Sequence, residues 1–318
     1  MDSFTHALTG AVIAKALDDK KVGNWGTVAG LAMGIFPDSD FVLGLFNRQF
    51  HLQYHRGFTH SILGAAILAV LLAAITYFVG KRADPPKKSS PALDARWLFL
   101  VCLIALEGHA LMDFTNAYGT RIFLPFSSRW YAWDIMFIFD PLLLTILIAG
   151  FAGPALFRLI SEEVGAHKPG FRRGAIVSLT LMVLLWGLRD VAHRRVVQQL
   201  DSHTYGEQNP IQVGAFPSPA NPFDWIGVVE TDAAYRIILA SALDSDVDLD
   251  RAKVLFKPES SPPLEAAEKT RSGTVFLDFA RFPWANVQET EKGFDVTIRD
   301  LRFYSTRYES RTSASTAS

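Results

Sequence analysis

The stretch from Ser61 to Gly80 runs for twenty residues without one charged side chain. About 20 apolar residues are what a helix needs to cross the ~30 Å hydrocarbon layer of a bilayer. A chain carrying such a run is therefore constrained first by lipid, where every backbone polar group must be satisfied internally. Three further stretches share this character. Trp97 to Leu111 is apolar apart from Glu107 and His109, and Ile135 to Leu159 is apolar apart from Asp140 and Arg158. Gly174 to Leu188 is shorter and uninterrupted. Two weaker stretches, Ala7 to Leu17 and Trp25 to Phe36, are rich in small residues: Gly10, Ala11 and Ala14 in the first, Gly26, Ala29, Gly30, Ala32 and Gly34 in the second. Small residues let helices approach closely in lipid, so these two read as short or partly inserted helices packed in the bundle. Asp2 and His6 precede the first of them with no basic start, so a cleavable signal peptide is not expected.

Toward the C-terminus the pattern changes to charges, prolines and short alternating segments. Gly227–Glu230, Tyr235–Ala240, Thr274–Phe279 and Phe294–Ile298 read as strands, and Ser260–Lys269 as a polar loop or short helix. The expected fold is an α-helical multi-pass membrane bundle of four clear and up to two short helices, followed by a small antiparallel β domain. The expected divisions are residues 1–198 for the membrane domain, 199–309 for the soluble β-rich domain and 310–318 for a disordered, Ser/Thr-rich tail. No catalytic constellation is visible in the β domain.

Charge sets the expected orientation. With 31 Lys+Arg against 32 Asp+Glu, the net charge of −1 gives no reason to expect a nucleic-acid partner. Lys15, Lys20 and Lys21 lie at one turn, Lys81, Arg82, Lys87, Lys88 and Arg96 at another, and Arg158, Lys168, Arg172 and Arg173 at a third. The positive-inside bias puts these in the cytoplasm. The remaining loops and the C-terminal domain then face the non-cytoplasmic side. Arg189, Arg194 and Arg195, after the last helix, run against this assignment.

Alternation of the helices brings one chemical class of residue to a single membrane face. His6 begins the first helix, Asp38 and Asp40 follow the second, His55 and His60 enter the third, and His109 and Asp113 leave the fourth. His109 and Asp113 are spaced i, i+4, so both project from one helix face and could chelate one ion. With one cysteine, Cys102, inside an apolar run, any metal must be held by His, Asp and Glu. Nitrogen and oxygen donors of this kind suit zinc, with manganese or iron as alternatives. Taken singly, the residues have plainer readings: an interfacial histidine for His6, turn formers or caps for Asp38 and Asp40, and a plain turn residue for Asp140 before its proline. Four histidines and three aspartates at one end of a bundle favour metal binding over coincidence. His51, His167, His193 and His203 lack such a context and read as surface residues.

Asp2-x-x-Thr5-His6, Pro37-Asp38-x-Asp40, His55-Arg56-Gly57-x-Thr59-His60-Ser61 and Gly108-His109-x-x-x-Asp113 together resemble the inner-membrane-associated, metal-dependent hydrolase family (YdjM-like, LexA-regulated). That family is in turn similar to the zinc-dependent phospholipase C and P1 nuclease group. The resemblance implies metal ligands at His6, Asp38 and/or Asp40, His60, His109 and Asp113, with Asp113 bridging toward a second ion partly held by His6. The soluble enzymes also use a processed N-terminal tryptophan and a second His-x-x-x-Glu/Asp pair. Neither is found here, so one or two ions are expected rather than three.

The expected chemistry is hydrolysis of a phosphoester or phosphodiester by metal-activated water. In it His55 is a further ligand or a general acid, Arg56 a phosphate clamp, and Thr5 and Thr59 orient ligands. The depth of the site favours a lipid or lipid-linked substrate at the bilayer. Two other classes compete: a transporter, whose polar residues would spread through the bilayer, and a structural membrane protein whose metal ties helices together.

Overall fold

In the computed structural model, residues 1–83, 93–164 and 171–304 are described. The expected tail at 310–318 and parts of the basic loops (Lys87, Lys88, Lys168) lie outside them. The chain divides into two compact units, Met1–Arg194 with Pro217–Asp224, and Arg195–Phe216 with the residues from Trp225 on.

The first unit is helical. It comprises α1 (Ser3–Ile35), α2 (Val42–Phe46), α3 (Arg48–Tyr54), α4 (Ile62–Ala83), α5 (Ala95–Phe114), α6 (Pro141–Val164) and the greater part, to Arg194, of α7 (Phe171–Asp201). Three of these, α4, α5 and α7, are long and apolar enough to cross a membrane; the apolar part of α6, Pro141–Phe157, is shorter. The case for lipid is strongest at α4. Its best window has a mean hydropathy of 2.6, yet only 22% of that window is buried within the protein. The buried side is a line of Ala65, Ala69 and Ala73, while Ile67, Val70, Leu71, Ile75, Phe78 and Val79 point outward. A continuous apolar face of that kind is far beyond what a soluble surface tolerates.

The two small-residue stretches form one folded-back element. α1 reverses near Gly23, which takes a left-handed φ of 54°. Its two arms then meet backbone to backbone. A Cβ added at Gly10 would lie 1.9 Å from the Gly30 carbonyl oxygen, and one at Gly34 would lie 2.3 Å from that of His6. Only glycine permits this approach, and it sets the start of the first arm beside the end of the second. α5 packs on α1 and on α4. One buried cluster joins Ala29 and Met33 of α1, Ala65 and Ala69 of α4, and Val101, Cys102 and Leu106 of α5. A second joins Leu8 and Val12 of α1, Met112 of α5, Leu143 and Leu147 of α6, and Leu185 and Trp186 of α7.

Two residues with open readings have structural roles. The Asp140 carboxylate accepts from Leu143 N at 2.9 Å, capping α6. Its other oxygen is paired with Arg189, and both side chains are fully buried. Arg189 is therefore a buried partner of Asp140 and weighs little as a loop charge in the orientation argument.

The second unit holds a four-stranded sheet in the order β1-β2-β3-β4 (Gln212–Pro217, Asp224–Glu230, Ala234–Ser241, Lys253–Phe256) and a hairpin of β5 (Pro283–Thr290) with β6 (Gly293–Asp300). β3 and β4 run antiparallel with Ala234 opposite Phe256 and Ile237 opposite Lys253. The expected strand at Thr274–Phe279 is a correction: these residues lie in helix α9 (Arg271–Phe279), preceded by α8 (Pro262–Lys269). β-branched and aromatic residues mimic a strand there, but the Thr270 side chain caps the helix by accepting from Gly273 N at 3.0 Å. Gly273 also lets α9 sit directly on the α8 backbone, where a Cβ would come within 2.2 Å of the Ala267 oxygen.

The α1 reversal gives a direct test. Gly10→Ala is expected to destabilise the detergent-solubilised protein by about 1–3 kcal/mol, the usual range for overpacking. Gly153→Ala, in α6 with nothing within 4 Å of the added carbon, should be neutral or stabilising by up to ~1 kcal/mol. Thermal unfolding of the two variants side by side reads the difference.

Candidate metal centre

The α1 reversal delivers the first ligand's partner. The carbonyl of Gly34, at the end of the second arm, lies 2.7 Å from His109 Nδ1. A carbonyl only accepts, so Nδ1 of His109 carries the proton and Nε2 presents a lone pair. His60 follows the same logic. Its Nδ1 lies 2.9 Å from Thr59 Oγ1, and that hydroxyl donates to Asp40 Oδ2 at 3.2 Å. Thr59 therefore accepts from His60 Nδ1–H, and Nε2 of His60 is again a lone pair.

These two lone-pair nitrogens face each other at 3.0 Å. Asp38 Oδ1 lies 3.4 Å from His60 Nε2 and 3.5 Å from His109 Nε2. Asp113 Oδ2 lies 3.2 Å and 3.6 Å from the same two atoms. Asp113 Oδ2 is buried and makes no hydrogen bond. Four acceptors thus converge in a nearly dry space with no donor among them, an arrangement that is costly unless a cation occupies it. Among the described residues, Asp38, His60, His109 and Asp113 are the group whose ligand atoms all lie within 4.8 Å of one another, and they could hold a metal ion.

The turn from Phe36 to Phe41 separates its two aspartates. Asp38 faces the Nε2 atoms of both imidazoles, whereas Asp40 lies on the Nδ1 side of His60, with Oδ2 4.0 Å from that nitrogen. Asp40 Oδ1 is 2.6 Å from His55 Nδ1, and Asp40 Oδ2 takes Thr59 Oγ1 and, at 3.3 Å, the backbone N–H of Arg56. Of the sequence candidates, then, Asp38, His60, His109 and Asp113 are brought together. Asp40 and His55 form a pair beside them, and Thr59 links the two groups. His6 stacks on His109 with ring centroids 3.8 Å apart and sets Nε2 3.1 Å from Asp113 Oδ1. Thr5 hydrogen-bonds Asp2 instead of a ligand, at 2.5 Å.

Arg56 is committed to the protein. Nη1 donates to Asn116 Oδ1 at 3.0 Å, Nη2 lies 3.2 Å from Asp113 Oδ1, and the guanidinium covers the Tyr118 ring at 4.5 Å. Asn116 donates to the same Asp113 oxygen at 3.3 Å, and the Met1 amine also meets it. Sequence reading missed Asn116 and Tyr118 as partners; their proximity to Asp113 in the chain was the available signal. His51, read as a surface residue, stacks on His55 at 4.4 Å.

The local electrostatics follow. Burial pushes Asp38 up, but the facing His109 and His60 imidazoles hold it well below the usual carboxylate range. Burial also pushes Asp40 up, and the His55 hydrogen bond and charge bring it below its ordinary value. Burial pushes His60 down, yet the Asp113 and Asp38 carboxylates outweigh it and raise its pKa above 6.5. A proton on His60 Nε2 and a metal ion thus compete for one space.

Two predictions follow from this geometry. Asp38→Ala should abolish stoichiometric metal retention, whereas Asp40→Ala, which removes only a support for His60 and His55, should weaken binding by about 10–100-fold. Competition against a chromophoric chelator ranks them, and the reverse order would make Asp40 the ligand. Because the His60 pKa is raised, affinity should be full at alkaline pH. It should fall as pH drops through a value above 6.5, by about tenfold per pH unit for each proton displaced; titrations from pH 5 to 9 check this.

Comparison with known proteins agrees with this setting. The chain is 28% identical over 315 residues to the uncharacterized protein YfhP of Bacillus subtilis (strain 168), covering 96% of this chain and 88% of that one. It is 27% identical over 191 residues to the inner membrane protein YbcI of Escherichia coli (strain K12), covering 58% of this chain and 97% of that one. No solved structure matches it. The sequence pattern of the YdjM inner membrane protein family matches residues 1–196, which include every ligand of the candidate centre, and the chain belongs to that family.

Proposed function

We propose that this protein is a multi-pass, membrane-bound, metal-dependent hydrolase that cleaves a phosphoester or phosphodiester in a lipid or lipid-linked substrate, with its site and C-terminal unit on the non-cytoplasmic face. The observation that carries the proposal is an asymmetry of access. His60, His109 and Asp113 side chains are fully buried, while Asp38 is 18% exposed. An ion held by the four would be reached from the Asp38 side alone, and Asp40, the partner of His55, lies in the same turn as Asp38.

Zinc is the favoured ion. Tetrahedral zinc with bonds of about 2.0–2.2 Å has ligand-to-ligand edges of about 3.3–3.6 Å, close to the 3.0–3.6 Å that separate the two imidazole nitrogens from each other and from the Asp38 and Asp113 oxygens. A bound zinc ion supplies hydroxide near neutral pH. The chain's own residues would do the rest. Asp40 accepts the His55 Nδ1 proton, fixing the ring so that Nε2 is left to take or give a proton. Thr59 and Gly34 hold His60 and His109 in the tautomer that ligates. Arg56, with both terminal nitrogens engaged, serves Asp113 rather than a substrate phosphate. Exposed Phe41 and Phe58 directly neighbour Asp40 and Thr59 in the chain. Such side chains suit the level of lipid headgroups and acyl boundary, where an amphiphilic substrate presents its phosphate.

One observation favours a second reading, a structural metal: four protein donors already complete a tetrahedron. The two readings separate on His55→Gln. For a hydrolase, metal content stays at the wild-type level and turnover of a phosphodiester lipid in mixed micelles drops by about 10²–10⁴-fold. For a structural site, metal-loaded wild type hydrolyses none of a panel of lipid phosphoesters, and stripping the metal lowers only the melting temperature.

A further inference from the structure

The family resemblance implies a second ion beside Asp113, and the residues present do not fit it. We propose that Arg56 is a positioning residue standing where a second divalent ion would sit, so that Asp113 offers one oxygen to one ion. This inference rests on the metal centre described above and not on hydrolysis.

Asp113 has two differently employed oxygens. Oδ2 faces the two imidazoles and Asp38. Oδ1 is surrounded by donors: the Met1 amine, His6 Nε2 at 3.1 Å, Arg56 Nη2 at 3.2 Å and Asn116 Nδ2 at 3.3 Å. A divalent cation bound at Oδ1 would lie against a guanidinium that cannot give up its proton. His6 offers no alternative closure. Its Nδ1 is buried without a hydrogen-bond partner, and among the described residues it shares no ligand group with a second carboxylate.

Arg56 is built into this position rather than resting there. It is 4% exposed. Its backbone takes a left-handed φ of 56°, unfavourable for a residue with a Cβ. That conformation turns its N–H to Asp40 Oδ2, while its carbonyl accepts from Arg121 N at 3.0 Å. The guanidinium then reaches Asn116, Gly119 and Asp113 under the cover of Tyr118. One residue therefore touches both aspartate networks, Asp40 through its backbone and Asp113 through its side chain. With Oδ1 occupied, Asp113 cannot swing to bind an ion through both oxygens.

Cobalt(II) reports this directly, because four-coordinate cobalt absorbs visible light several-fold more strongly than five- or six-coordinate cobalt. Full-length protein in detergent, stripped of metal, is titrated with cobalt(II), and the variants Arg56→Met and Arg56→Lys are titrated beside it. Wild type is expected to saturate at one equivalent with strong four-coordinate absorption. Arg56→Met should lose at least half of that intensity as Asp113 becomes bidentate, or take up a second equivalent. Arg56→Lys, which keeps the charge, should restore the wild-type spectrum and stoichiometry. Two equivalents in wild type would overturn the inference while leaving the metal centre standing. So would an Arg56→Met spectrum identical to wild type. No cobalt in wild type would overturn both. Should Arg56→Met fail to fold, the wild-type stoichiometry and the Arg56→Lys spectrum still decide.

Discussion

The structure of the first unit depends on the Asp113 carboxylate. It is completely buried at the end of an apolar helix, and an isolated ionised carboxylate in such a place is costly. One of its oxygens is answered by a ring of donors, and the other faces a set of acceptors that a metal ion, or a proton on His60 Nε2, would reconcile. His6, Arg56, His60, His109 and Asn116 come from three separate segments of the chain, and each is positioned to face this one group. The packing around it serves the same end. The glycine contacts of α1 place Gly34 against His109, and the cap of α5 leaves Asp113 pointing into the bundle end.

Two solvents shape the same helices. α4 turns its alanines toward α5 and its large apolar side chains outward, so lipid completes what the protein leaves uncovered. Asp38, His60, His109 and Asp113, by contrast, are gathered within reach of one another beside the ends of these helices. The buried Asp140–Arg189 pair joins the start of α6 to α7 by charge, beside the hydrogen bond from Ser178 Oγ to the Ile146 carbonyl and the apolar contacts between the two helices.

Much of this was legible in the sequence, for identifiable reasons. An uncharged run such as Ser61–Gly80 admits few interpretations, and the i, i+4 spacing of His109 and Asp113 fixes their shared face whatever surrounds them. The choice between Asp38 and Asp40 was not legible. Two carboxylates two residues apart in a 3₁₀ turn point in different directions, and only the positions of His55 and Thr59 decide which one meets the imidazoles. Arg56 read as a phosphate clamp because its charge is visible in sequence while its left-handed backbone is not. The segment Thr274–Phe279 carries a strand's composition, and the tertiary contact at Gly273 together with the Thr270 cap makes it a helix.

The central claim is that the four converging acceptors hold a metal ion. Metal content of the detergent-purified protein, measured by elemental mass spectrometry beside the His109→Ala/Asp113→Ala double variant, tests it most directly. The account predicts one divalent ion per chain in wild type, zinc foremost, and none in the variant. Absence of stoichiometric metal in wild type, even after zinc or manganese is offered back, or equal metal in both proteins, would contradict it.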